Sequence, residues 1–383
     1  MTLVGRLIVI TSALLASAIA ESPATVPLHA PPKLPLVPVI ISGEGGYPCH
    51  RIPSIVFAQH VLLAFSEARL WRNDGCYPHG TSFFPDESGP NKRTDIGLKR
   101  SADGGKTWSN LTIVAEYGMN PTTVMDAVLN RLILQFVRGA WVMSITSADL
   151  GMTWTPAVNV STLFKKDGAS LPPGVVVGPG NGIQLSPQGR VPGRLLFIGH
   201  VGYSMEYVWY SDDGGDSYQL SRTTNLAFMN EAQLVELPDG RLQANMRNHH
   251  KNATCKCRGI AFSSDGGESF GNVSYDPALI SPICMASLLR GGAAGSAKNS
   301  IYFANPASAS GRTNGTVRRS DDGGRTWSSS LHVGDPFDYS SLTLTSDPET
   351  LGILWETWEP IGGKHCNGEA CSIVFSTFPA SLR

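Results

Sequence analysis

The chain has little charge. Only 16% of its 383 residues are Asp, Glu, Lys or Arg, and the formal net charge is −1. A basic nucleic-acid-binding surface and a polybasic membrane anchor are therefore not indicated. Helical patterning is missing as well, because no segment repeats apolar residues at the spacing of an amphipathic helix. After the first twenty residues no apolar run reaches transmembrane length. Cysteine is sparse: seven residues, which fit an oxidising compartment and leave one unpaired. Cys255-Lys256-Cys257 is too isolated for a zinc site, which needs about four ligands. His249 and His250 have no acidic or Cys partner at ligand spacing, so they read as solvated loop histidines. No metal site is expected.

What the chain does have is turn chemistry. It holds 41 Gly and 26 Pro in a background that is 42% hydrophobic, the profile of a turn-rich all-β protein with ample core. Short segments of strand character include Val61–Phe65, Arg131–Phe136, Leu195–Ile198, Arg241–Asn245 and Ile353–Trp355. One pattern occurs five times: Ser101–Trp108, Ser147–Trp154, Ser211–Tyr218, Ser263–Phe270 and Ser320–Trp327. The starts lie 46, 64, 52 and 57 residues apart. A unit of that length points to radial repetition of small sheets, a β-propeller. The central Asp of the pattern accepts hydrogen bonds within its own turn, the Gly two residues on supplies a positive φ, and the final aromatic plugs the space between strands. The pattern itself is structural.

The N-terminus reads separately. Arg6 precedes an apolar run from Leu7 to Ile19, and Ala18-Ile19-Ala20 offers a small-x-small cleavage site. Residues 1–20 are expected to be a signal peptide, 21–38 a Pro-rich leader, and 39–383 the folded domain. An uncleaved anchor is the alternative, for which the run is short. Sequons at Asn110, Asn159, Asn252, Asn272 and Asn314 agree with a secretory route. Cys366 with Cys371 and Cys49 with Cys76 are candidate pairs, and Cys284, in an apolar setting, is the candidate free thiol.

Arg51-Ile52-Pro53, followed by L-L-A-F-S-E-A-R and then by the five repeats, resembles the sialidase (neuraminidase) superfamily from about Ile40 onward. The segments N-E-A-Q-L-V-E-L-P-D-G-R-L-Q-A-N-M-R-N and N-P-A-S-A-S-G-R-T-N-G-T-V-R-R-S are particularly similar to its mammalian lysosomal members. The resemblance implies a six-bladed propeller whose five repeats are the family's Asp boxes. It also implies that Arg51, Arg247 and Arg312 hold a substrate carboxylate, a task that suits the guanidinium fork. Glu356 would orient the first of them. Tyr339 would be the nucleophile and Glu231 its base, since a neutral Tyr avoids facing one carboxylate with another. Asp74 would be the acid/base, with Asp86 as runner-up and Arg69 as a pocket residue beside it. Asp95 resembles a strand Asp ahead of the first box, and Glu236 belongs to a hairpin flank. Asn181, in G-P-G-N-G-I-Q-L, is a candidate sugar contact or part of a plain Gly-rich turn.

The implied activity is an exo-α-sialidase acting on sialylated glycoconjugates, without metal or organic cofactor, in a secreted or endomembrane (lysosomal) lumen. No nucleic-acid partner and no membrane span in the mature chain are expected. A trans-sialidase, an enzyme acting on a related nonulosonic acid, and a non-catalytic binding propeller are the rivals.

Overall fold

The computed structural model describes residues 34–71, 93–165, 168–222, 226–250, 255–292, 295, 298–358 and 372–382. The expected signal peptide, Asp74, Asp86, Cys76, Asn252, Cys366 and Cys371 lie outside them. No described helix is long and apolar enough to cross a membrane.

Six sheets, antiparallel but for one short pairing, follow one another along the chain. The first blade is Cys49–Ala58, Val61–Arg69, Thr94–Ser101 and Thr112–Ala115. The second is Met119–Asp126, Arg131–Arg138, Trp141–Ser147 and Val158–Asn159. The third is built on Leu195–Val201, Met205–Ser211 and Gln219–Leu220. Met229–Glu236, Leu242–Asn248, Cys257–Ser263 and Ser274–Ile280 make the fourth. Ser287–Arg290, Ile301–Pro306, Gly315–Ser320 and Ser329–Gly334 make the fifth. The sixth is Ser340–Leu344, Thr350–Thr357 and Ser372–Pro379, completed by Val37–Ile41 from the start of the domain. This six-bladed propeller is the expected all-β fold, and pairing its first strand with its last sheet closes the ring. That closing strand begins at Val37, ahead of the boundary expected at residue 39.

Each repeat joins the third and fourth strands of a blade, in blades one to five. Asp103 shows the chemistry: Oδ1 accepts from Ser101 Oγ at 2.8 Å and from the Lys106 and Thr107 amides at 3.0 Å, and Oδ2 accepts from Thr107 Oγ1 at 2.6 Å. Asp149 and Asp322 repeat it. The final aromatic fills a seam between blades. Trp108 packs edge-on against Phe375 of the sixth blade, and Trp154 against Phe65 of the first. Six buried apolar clusters line these seams, each drawing residues from two adjacent blades.

The third blade departs from the pattern. Val176–Val177 and Ile183–Gln184 both pair with Leu195–Val201, and between them Gly180–Asn181 crosses to pair in parallel with Thr122 and Thr123 of the second blade. A cavity of about 400 Å³ lies at the far end of the inner strands, lined by Ile55, Val124, Leu234, Leu288 and Leu342, with Asn181 on its wall.

Candidate active site

Three inner strands begin with an irregularity. The register shifts between Arg51 and Ser54, between Met119 and Thr122, and between Asn230 and Ala232. Each shift carries a non-glycine residue in left-handed backbone: Ile52 at φ 60°, Asn120 at φ 54° and Glu231 at φ 43°. Bulges re-aim side chains, and such backbone is retained where its surroundings over-determine it. Ile52, being β-branched, is costly there. Its amide is fixed by Glu356 Oε1 at 2.6 Å.

Around these bulges four blades bring charge together. Arg51 donates to Glu356 Oε2 from Nη2 at 2.9 Å and from Nε at 3.3 Å, with both residues buried. Arg247 Nη1 donates to Glu231 Oε2 and, at 3.0 Å, to the hydroxyl of Tyr339. The Tyr339 hydroxyl in turn donates to Glu231 Oε1. Arg312 Nη1 donates to both oxygens of Asp338 at 2.8 and 2.9 Å. The guanidinium carbons of Arg51 and Arg312 lie 4.9 and 5.4 Å from the centre of the Tyr339 ring. All three sequence-predicted arginines therefore converge on Tyr339. Arg318 and Arg319, close in sequence to Arg312, point elsewhere: Arg318 to Asn305, and Arg319 to Asp321 and the Ala380 carbonyl.

The electrostatics follow from burial and pairing. Burial raises the Tyr339 hydroxyl well above its usual range, and the neighbouring Glu231 adds to this. Burial also works to raise the Glu231 carboxyl, but Arg247 and the Tyr339 hydroxyl overcome it and hold the group below the carboxylate norm. The pair is thus a neutral phenol poised against an ionised carboxylate. Glu356 is held above its usual value by burial, with Arg51 opposing and Asp338 adding. Ile52, Cys284, Met285 and Tyr339 pack as a small apolar cluster inside the arginines. Among the described cysteines Cys284 is the free one and is buried, as expected, and burial pushes it up.

Arg69 stands at the same end of the first blade, one strand further out. It donates to Glu67 Oε2 at 2.6 Å from Nε, and its guanidinium lies 4.6 Å from the Trp71 ring. Glu67 Oε1 accepts the Asn120 amide at 2.8 Å, so Arg69 is linked to the bulge of the second blade. Asp74, the expected acid/base, lies outside the described residues. Asp95 is committed to structure: it is buried and accepts from Tyr47, Arg93 and the Tyr117 amide. Glu236 ends the fourth blade's inner strand, where it pairs with Arg290 at 2.6 Å on the wall of the far cavity.

Two expectations need correction. Asn181 is not free to touch a sugar. Its amide nitrogen donates to the carbonyls of Ile55 at 3.0 Å and Leu342 at 3.4 Å, and its oxygen accepts from Ser54 Oγ at 3.0 Å. It ties inner strands together across the channel, and the Gly-rich stretch exists to let that crossing approach closely. A Cβ at Gly180 would sit 2.3 Å from Gln233. His249 and His250 are half-buried rather than solvated. His249 stacks on Tyr203 with ring centres 4.2 Å apart, and His250 lies 4.9 Å from Phe228. Burial lowers His249 to about 4. No group of three metal-ligating side chains occurs among the described residues.

Sequence reasoning missed Glu67, Asn120, Arg258 and Asp338. Arg258 is fully buried, donating to Asn245 Oδ1 at 2.7 Å and to the Cys284 carbonyl at 2.6 Å. Two of them had a legible signal: Glu67 lies within L-L-A-F-S-E-A-R, and Asp338 directly precedes Tyr339.

A family model described as a BNR repeat-like domain matches residues 86–353. A sialidase of Bacteroides fragilis (strain YCH46) is 30% identical over 311 residues, covering 70% of this chain and 54% of that protein. A sialidase of Micromonospora viridifaciens is 31% identical over 378 residues, covering 89% of this chain and 54% of that one. The chain thus spans about half the length of each. Among solved structures, the Hadza microbial sialidase Hz136 matches with a TM-score of 0.69 at 24% identity, over 90% of this chain and 68% of that one. A leech intramolecular trans-sialidase matches at 0.70 and 18%, over 90% and 70%. At these identities the structural likeness concerns the fold alone.

Proposed function

This chain belongs to the sialidase superfamily, and from that premise we propose that it is an exo-α-sialidase that removes terminal sialic acids from glycoconjugates with retention. The observation that carries the reading is the hydrogen-bonded chain of Arg247, Tyr339 and Glu231, set beside two further arginines. Arg51, Arg247 and Arg312 receive the sugar's carboxylate. This orients the anomeric carbon over Tyr339. As the phenol oxygen bonds to that carbon, its proton passes to Glu231 and the glycosidic bond breaks. Asp74 protonates the departing oxygen. Water, deprotonated by Asp74, then attacks the same carbon, and Tyr339 leaves and recovers its proton from Glu231.

The site of action in this reading is extracellular or within the endomembrane lumen. Disulfide bonding of Cys49 and of Cys255 with Cys257 supports it, because such bonds persist in oxidising compartments.

The test is turnover of a 4-methylumbelliferyl α-sialoside by purified protein, with proton NMR of the first sugar released. The α-anomer should appear first. Release of the β-anomer would contradict a double displacement, and absence of turnover would remove the hydrolase reading. A linked product formed with added lactose would identify a transferase instead.

A further inference from the structure

The arginine cluster is already neutralised from within. Asp338 is fully buried, bonded to Arg312 at 2.8 and 2.9 Å and 3.7 Å from Arg51 Nη2. Glu356, equally buried, takes the same Arg51 nitrogen at 2.9 Å. The backbone locks the two carboxylates together: the Asp338 amide donates to the Glu356 carbonyl at 3.1 Å, and the Glu356 amide to the Tyr339 carbonyl at 2.9 Å. Cys284, from the segment before the fifth blade, offers its thiol to Asp338 Oδ1 at 3.6 Å. Among the described residues, then, the groups facing Asp338 are Arg51, Arg312, Glu356, the Cys284 thiol and Tyr339, with Arg247 and Glu231 one contact further. Among the described residues, the Arg51–Arg312 pair therefore meets the Asp338–Glu356 pair, two cations against two carboxylates.

A ligand carboxylate brings a third anion. Buried like charges that share a cation cannot all stay ionised without large cost. Resting on the reading of this site as a sialic acid seat, we propose that Asp338 is an internal counter-anion, and that an anionic sugar binds together with one proton taken up by the Asp338–Glu356 pair. The ledger balances: one negative charge and one proton enter, and the site's charge is unchanged. The proton comes from solvent and ends on a carboxyl oxygen, which can then donate to its neighbour. Arg312 is released to the ligand. Asp338 is thereby a positioning residue that acts through Arg312.

The test is isothermal titration calorimetry with the unsaturated analogue 2,3-didehydro-2-deoxy-N-acetylneuraminic acid. It is run in buffers of differing ionisation enthalpy between about pH 4.5 and 7.5, on wild type, Asp338→Asn and Asp338→Ser. Wild type should take up close to one proton per ligand, and its Kd should rise by up to about tenfold per pH unit. Either variant should lose that uptake and bind about tenfold more tightly near pH 7. Binding by wild type without proton uptake overturns the proposal even if neither variant folds, and so does unchanged uptake in a folded variant. Absence of binding by wild type at every pH overturns the sialic acid reading itself, and this proposal with it.

Discussion

Tyr339 is bonded to Glu231 and Arg247, and its ring lies beside Arg51 and Arg312. Each neighbour has a distinct task. Glu231 is kept ionised by Arg247, so it can accept the phenol proton at neutral and mildly acidic pH. Arg247 also faces the oxygen on which charge develops, where a fixed cation does most for a transition state. Arg312 is the most exposed of the three, at 29% against 13% for Arg247 and 2% for Arg51, and among the described residues its guanidinium is held only by Asp338. Its planar fork matches a carboxylate in a way an ammonium does not. Arg312→Lys should therefore raise KM by roughly tenfold or more with a smaller change in kcat. A Lys variant with unaltered KM would place Arg312 outside the carboxylate seat.

The elements show why these side chains meet. The first, fourth, fifth and sixth blades supply the cluster at one end of the channel; bulges at Ile52 and Glu231 turn the entry of two of their inner strands, and a third, at Asn120, turns that of the second blade. The repeats hold the opposite, structural role. The second Gly of the first box has φ 91°, and a Cβ there would lie 2.1 Å from Phe375 of the adjoining blade. Gly105→Ala should cost about 3 kcal/mol or more, through both backbone strain and the clash, and this can be read from chemical denaturation. A change below about 1 kcal/mol would show that the seam can yield. The boxes were legible because a turn imposes residue identity locally: Asp, Gly and an aromatic at fixed offsets state their own geometry. Arg51, Arg247, Arg312, Tyr339 and Glu231 were legible only through resemblance, since no local rule joins positions so far apart in the chain. Asn181 was misread for a related reason. A Gly-rich loop looks the same in sequence whether it approaches a ligand or, as here, another strand. Asn120 left no signal, and Glu67 stood in the L-L-A-F-S-E-A-R motif with no role assigned to it, because their roles arise from a bulge and a backbone amide that sequence does not display.

At the scale of the whole molecule, stability comes from six apolar seams and a ring closed by Val37–Ile41. One group works against it. Glu206, on the Met205–Ser211 strand opposite His200, is 1% exposed and has no hydrogen-bond partner for either oxygen among the described residues. Burial pushes its carboxyl up to about 8; Glu231 adds to the shift and Arg258 opposes it. In the unfolded chain it titrates near the ordinary value of about 4.3. Between those values the folded state keeps a proton that the unfolded state has lost. Its contribution is therefore complete below the unfolded pKa and disappears as pH rises through about 8. Tm should fall over that range, and Glu206→Gln should flatten the slope. An identical slope in the variant would mean that other groups carry it.

The central claim, that Tyr339 is the nucleophile in an arginine-lined sialic acid site, is tested most directly by a fluorinated sialyl fluoride, which glycosylates a nucleophile and turns over slowly. Peptide mass spectrometry after brief exposure should find one sugar on the peptide containing Tyr339, and none in Tyr339→Phe. A label on another residue, or equal labelling of the Phe variant, would contradict the account.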